Sequence, residues 1–196
     1  MTPEIRAFEF ALGIFAVLIG LAVADIATSF HRLVRSKTPV VWDPLALAAA
    51  AFALCMAVGM WFDLWGVRNV TETRHFFFYL FMVSQMFLLF LIAAASLPDE
   101  PAGASDLREF YAGNRRYFWS LVALFQLGYT GLGIYFVHGL LSRLPRAESI
   151  AFYGQMTLLF GIPLVLIASK SRLVHYVGLG LLFVVTAWHY APYSIS

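Results

Sequence analysis

The sequence has little charge and none of the short motifs that mark common enzymes. Only 12% of its 196 residues are charged, whereas ordinary soluble domains have about 25%. Too few polar side chains remain to cover a water-soluble particle of this size, which excludes a soluble enzyme and a disordered chain. The formal net charge of +2 is too small to predict a nucleic-acid partner.

Cysteine and catalytic motifs are equally scarce. The single cysteine, Cys55, lies in an apolar run and cannot form an internal disulfide. The chain lacks a G-x-S-x-G nucleophile motif, a glycine-rich phosphate loop, a C-x-x-C-H haem attachment site and an H-E-x-x-H zinc motif. These absences favour a function other than catalysis, and we predict neither a catalytic residue nor a resident cofactor.

Long uncharged apolar runs dominate the remaining sequence. Apolar residues make up 61% of the chain, and its mean hydropathy is +0.79. A helix of ~20 apolar residues crosses the ~30 Å hydrocarbon core of a bilayer, and uninterrupted runs argue against a barrel. We therefore predict an all-α integral membrane protein, a bundle of six transmembrane helices in one domain over residues 1–196. The predicted spans are 7–30, 44–66, 75–97, 116–141, 149–169 and 173–193.

Two weaker patterns concern symmetry and orientation. Similar segments end the first and fourth predicted helices, Phe30–Val34 and Val137–Leu141, as expected for a 3+3 inverted repeat. Eight Lys and Arg residues fall in the loops on one side of the predicted topology and five in those on the other. This bias places both termini outside, and we expect a bacterial inner (plasma) membrane protein.

Capping residues predict where two helices begin. Asp43 precedes a proline, and Asp106 is followed three residues later by Glu109, which are N-terminal capping patterns. A helix over residues 107–141 would exceed the bilayer thickness. Either this helix extends into water, or it breaks at Gly113.

Small and aromatic residues predict packing and interfacial anchoring. Gly178 and Gly180 indicate close helix packing, and Gly161 with Pro163 suggests a hinge. The end of a span next to Arg115 and Arg116 includes Trp119, and we expect these residues to anchor the helix at the lipid headgroups.

Asp25 is the strongest candidate for a functional residue within a span. An intramembrane carboxylate costs about 2.5–3.5 kcal/mol on insertion scales, and is a candidate functional group by default. Thr28, Ser29 and Arg32 follow at helical spacing and form a polar stripe with it. The stripe is either a site for a cation or proton near the inner membrane face, or a structural pairing of Asp25 with an arginine.

Further polar residues extend this pattern across the membrane. Asp63 lies near the outer end of the second span, and Gln85, Gln126 and Tyr129 lie at mid-depth in the third and fourth. Together with Asp25 they predict a polar path for an ion, proton or small solute. The alternative is that the two amides hydrogen-bond to each other and join the helices.

Histidines near the span ends support a third hypothesis. His75, His138 and His189 fall at one membrane level in the predicted topology. Histidines on adjacent helices at one depth can ligate haem or a metal, although interfacial histidines are usually satisfied by water.

Three functions follow from these patterns. The first is a channel or transporter, the second a non-catalytic membrane subunit or assembly protein, and the third a haem- or quinone-binding redox protein. We expect the lipid bilayer as the main partner, with a homo-oligomer or a membrane partner protein in addition.

Overall fold

The computed structural model describes residues 3–66, 76–99, 105–141 and 146–191. This part of the chain is almost entirely helical. Its elements are α1 Pro3–Val34, β1 Val40–Val41, α2 Pro44–Gly66, α3 Phe76–Ala94, β2 Ser105–Asp106, α4 Leu107–Leu141, α5 Arg146–Ala168 and α6 Arg172–Tyr190.

Six helices in the described part of the chain are long and apolar enough to cross a membrane. The prediction of an all-α membrane protein with six spans is confirmed, and the chain is a polytopic integral membrane protein. The largest difference from the predicted spans is in α4, which begins at Leu107 and not at 116. The first of these segments, Leu12–Val34 of α1, includes Asp25.

Both predicted caps are present. The Oδ1 atom of Asp106 accepts hydrogen bonds from the backbone N–H groups of Arg108 at 2.8 Å and Glu109 at 3.2 Å. Asp43 Oδ2 accepts one from the N–H of Ala46 at 3.4 Å. These side chains satisfy donors that have no partner within the first turn of a helix, and so they fix where α2 and α4 begin.

The long fourth helix is continuous. It spans 35 residues, or about 52 Å at 1.5 Å per residue, and passes through Gly113 without a break. The alternative of a separate surface helix is therefore wrong. Because the hydrocarbon core is ~30 Å thick, one or both ends of α4 extend beyond it.

The chain divides into two compact units. The first comprises Met1–Tyr111 and the second Ala112–Ser196. In the first unit α1 packs against α2 and α3, and α2 packs against α3. Its buried core includes Phe15, Phe52 and Met86. A short parallel ladder pairs Val40 with Ser105 and Val41 with Asp106.

The second unit contains most of α4 together with α5 and α6. Its buried core includes Trp119, Val122, Leu166 and Leu182. The α5 and α6 helices are in close contact at Gly178, where an added Cβ would lie 2.7 Å from Leu166 Cδ2. The single domain and the inverted repeat stay predictions.

Candidate polar sites within the membrane

In the first unit, Asp25 lies within electrostatic range of Arg32 and of Asp99. Its Oδ2 atom is buried and has no hydrogen-bond partner among the residues that the structure describes. The positive charge of Arg32 and the negative charge of Asp99 act on the carboxylate in opposite directions. Asp25 therefore has one basic and one acidic side chain within electrostatic range.

Arg32 joins two segments of this unit. Its Nη1 atom donates a hydrogen bond of 2.8 Å to the backbone carbonyl of Asp99, so the end of α1 is bonded to the segment that follows α3. The other members of the predicted stripe separate: Ser29 is buried, whereas Thr28 is exposed. The four residues consequently do not share one environment.

Asp63 and Gln85 also belong to the first unit. Asp63 is half-buried on α2, and Gln85 is buried on α3. Each has an interaction partner in the structure. Their predicted roles as an outer mouth and a mid-depth lining residue stay predictions.

In the second unit, one face of α4 gathers polar and aromatic side chains. Six residues of α4 lie within about 60° of a common direction around the helix axis, since an α-helix has 3.6 residues per turn. The members of this face are Arg115, Trp119, Gln126, Tyr129, Thr130 and Gly133.

One end of this face meets the loop between α5 and α6. The carbonyl oxygen of Ser169 accepts a hydrogen bond from Arg115 Nε at 3.2 Å and lies 3.2 Å from His175 Nε2. Because a carbonyl can only accept, this contact requires the hydrogen of His175 on Nε2. Both donors thus satisfy an oxygen near the C-terminal end of α5, which the helix itself leaves without a partner.

Trp119 packs beside this hydrogen-bond pair. The rings of Trp119 and His175 lie 6.5 Å apart between centroids, and their side chains are 0% and 1% exposed. The expectation that Trp119 anchors α4 at the headgroups is therefore wrong. Its large apolar ring fills the core of the second unit instead.

A tyrosine–histidine pair lies further along the same face. The Tyr129 hydroxyl and His189 Nε2 are 3.2 Å apart and share a hydrogen bond. Phe125 stacks on the tyrosine ring at 6.3 Å with an interplanar angle of 12°. The pair brings α6 alongside α4 near the C-terminal end of α6.

Near the tyrosine–histidine pair is a group of neutral side chains that each have a buried polar atom, Gln126 and Thr130 on α4 and Gln155 on α5, which we call the polar cluster. Gln126 Oε1, Thr130 Oγ1 and Gln155 Nε2 are buried and make no hydrogen bond within the described part of the chain. Gln126 is the most deeply buried, with 5% of its side chain exposed.

Helix packing places the members of the polar cluster near one another. A side chain added at Gly133 would lie 3.8 Å from Phe152 Cζ and 4.0 Å from Met156 Sδ, so α4 and α5 meet at this level. Thr130 precedes Gly133 by three residues, and Gln155 directly precedes Met156. Both therefore lie within one helical turn of the contact between α4 and α5.

A proline leaves one backbone carbonyl oxygen in this region without its usual helical donor. Pro163 lies inside α5 and is buried. Proline has no N–H group, so the carbonyl oxygen of Leu159 loses the donor that an α-helix supplies four residues later. Leu159 is one turn beyond Gln155, which extends the polar region along α5.

The structure does not test the predicted histidine site. His75 and the side chain of His138 lie outside the described residues, and His189 bonds to Tyr129. Over the ranges that are described, no group of three or more His, Cys, Asp or Glu residues could hold a metal ion. The prediction of a metal or haem at this level stays a prediction.

Sequence interpretation missed several of these residues. Gln155 was detectable, because it is the only carboxamide side chain in the uncharged run 149–169. No sequence pattern indicated that Arg115 and His175 contact the Ser169 carbonyl, because these contacts depend on how α4, α6 and the loop after α5 pack together.

No family model, curated protein or solved structure that was compared matches this chain. The functional interpretation therefore depends on the polar groups of the chain itself.

Proposed function

We propose that the chain is a membrane conduit for a small solute, and that the passage is formed inside the second unit by α4, α5 and α6. The observation that supports it most directly is the buried Oε1 atom of Gln126, which has no hydrogen-bond partner in the described chain. An isolated amide oxygen in this position is costly in free energy.

A passing molecule would remove this cost. A buried polar group without a protein partner is usually satisfied by an ordered water or a ligand. Thr130 Oγ1 and Gln155 Nε2 need partners in the same way. Membrane transport proteins commonly place such groups beside backbone groups that lack a helical partner near the bilayer centre, and Pro163 removes one backbone hydrogen bond from the continuous helix α5.

The polar groups also extend over much of the membrane thickness. Arg115 and Tyr129 are fourteen residues apart on one face of α4, which is about 21 Å along the helix. Along α4, Gln126 lies between the Ser169 carbonyl contacts and the Tyr129–His189 pair, and Thr130 directly follows Tyr129. The spacing suits stepwise passage of a small molecule between neighbouring polar groups.

The predicted path includes residues of both units, and the proposal retains Gln126 and Tyr129 from it. Asp25, Asp63 and Gln85 belong to the first unit. The roles predicted for these three residues stay predictions apart from the conduit proposed here, and Asp25→Asn and Asp63→Asn test them in the same flux assay.

Flux measurements on protein reconstituted into liposomes test the proposal. Thr130→Val removes a buried hydroxyl and keeps the side-chain volume, whereas the matched control Thr157→Val removes an exposed hydroxyl that bonds within its own helix. Losing one hydrogen bond worth about 1 kcal/mol should slow flux about fivefold in Thr130→Val only. The proposal is wrong if wild-type vesicles pass no water, neutral solute, proton or ion faster than protein-free vesicles.

A further inference from the structure

We infer that the polar cluster selects a small neutral solute that both donates and accepts hydrogen bonds, and that it excludes ions. This inference rests on the proposed conduit in the second unit and specifies its substrate class. It follows from the charges of the three helices and from the atoms of the polar cluster.

Each span of the second unit consists mostly of an uncharged run. Between Arg116 and Arg143 there are 26 uncharged residues, between Glu148 and Lys170 there are 21, and the 24 residues after Arg172 are also uncharged. An ion in the hydrocarbon region needs an opposite charge or a shell of oxygen ligands that replaces its water. These runs contain no Asp, Glu, Lys or Arg side chain, and the imidazole of His189 bonds to the hydroxyl of Tyr129, the residue before Thr130.

The atoms of the polar cluster are chemically mixed. Gln126 presents an acceptor oxygen, Gln155 a donor N–H group, and Thr130 a hydroxyl that can do either. The donor opposes a cation and the oxygens oppose an anion, so neither ion finds a uniform shell. A molecule with a hydroxyl or amide group satisfies both kinds of atom at once.

The position of the polar cluster makes it selective. Thr130 is the fourteenth of the 26 uncharged residues between Arg116 and Arg143, which is the middle of the run. A solute without hydrogen-bonding groups would leave the buried polar atoms of the cluster unpaired. Because unpaired buried atoms cost free energy, such a site rejects apolar analogues. Water, urea and glycerol have the required donors and acceptors.

Paired flux assays on proteoliposomes of the full chain test this inference. Stopped-flow light scattering reports the entry of water, urea and glycerol, and ion-sensitive dyes inside the same vesicles report K⁺, Cl⁻ and protons. We expect at least one of the three neutral probes to cross faster than in protein-free vesicles, with every ion at the protein-free rate.

Variants then locate the selecting groups. Thr130→Val and Gln126→Met should each reduce the flux of the neutral probe about fivefold, and Thr157→Val should leave it unchanged. Size-exclusion profiles in detergent identify any variant that fails to fold. If Gln126→Met misfolds, the comparison of Thr130→Val with Thr157→Val decides the question.

The possible results separate the two proposals. Ion flux without neutral flux overturns the neutral selectivity and leaves the conduit in place. Neutral flux that Thr130→Val does not alter overturns the role of the polar cluster. The absence of flux for every probe overturns the conduit itself, and with it the selectivity.

Discussion

The two units place polar groups inside their membrane spans in different ways. The first unit contains formal charges within its spans, and one of them, Asp25, lies within range of the Arg32 guanidinium. The second unit has neutral amides and hydroxyls at mid-depth, and three of these have a buried polar atom without a partner in the described chain. Because Asp25 Oδ2 is also buried without a hydrogen-bond partner in the described chain, the units differ in the charge of these groups. The first unit has a carboxylate near an arginine and a second acid, whereas the second has neutral groups that can pair with a passing molecule.

In the second unit, the charged side chain of Arg115 lies apart from the neutral polar cluster. Arg115 lies outside the uncharged run of α4 and bonds to the Ser169 carbonyl. Apolar side chains such as Trp119 and Leu182 form the buried core of the second unit, and its polar cluster is a site of unfilled hydrogen-bonding capacity. Four changes can break or sharpen this contrast.

The largest expected effect is on the core of the second unit. Trp119 is fully buried against His175, so Trp119→Ala should lower the free energy of unfolding by about 3–5 kcal/mol through lost contacts and a cavity. Circular dichroism during unfolding in detergent micelles measures the change. The control Trp188→Ala, on a side chain that is 77% exposed, should cost less than about 1 kcal/mol. Equal losses would contradict an apolar core centred on Trp119.

A charged side chain at the polar cluster should lower the unfolding free energy of the protein. Gln126→Lys places a cation at mid-depth in a unit without an intramembrane acid, and we expect a loss of about 2.5–3.5 kcal/mol in unfolding free energy. Gln126→Met removes the amide and should be neutral or stabilising, because the unpartnered oxygen disappears. Unfolding in micelles compares the two variants, and a lysine variant as stable as the methionine variant would break the contrast between the units.

Local sequence signals predicted the helices and their beginnings. The spacing of charged residues gave six spans, because an uncharged run of ~20 residues has few alternatives to a membrane helix. The caps at Asp43 and Asp106 were also predictable, because a capping side chain bonds to a backbone group only two or three residues away.

Contacts between distant segments were not predictable in this way. Trp119 was expected at the headgroups because aromatic residues near span ends usually lie there, but its surroundings depend on how α4 and α6 pack. The bond from Arg32 to the Asp99 carbonyl joins residues 67 positions apart. The sequence alone therefore identifies neither the neighbours of Trp119 nor the bonding partner of Arg32.

Two glycines of α6 show the same limit and provide the third test. The sequence marks both for close packing, yet an added Cβ lies 2.7 Å from Leu166 Cδ2 at Gly178 and meets nothing within 4 Å at Gly180. Gly178→Ala should be less stable than Gly180→Ala by about 1–2 kcal/mol, since both gain the same helix preference and only one is overpacked. Urea unfolding of the two variants measures the difference. Equal stability would show that the Leu166 side chain moves aside at little cost, and would contradict overpacking at Gly178.

The smallest expected effect concerns the first unit, where Arg32 is exposed and bonds to the Asp99 carbonyl. Arg32→Gln removes the charge near Asp25 and weakens the link between α1 and the segment after α3. We expect a loss of about 0.5–1 kcal/mol in unfolding free energy, because a solvent-exposed charged group contributes little. Arg35→Gln, a charge loss at an exposed position just beyond α1, should cost less. The flux of the neutral probe should be the same in both variants as in wild type. A large loss of flux in Arg32→Gln alone would place the first unit in the passage and contradict the division of roles between the two units.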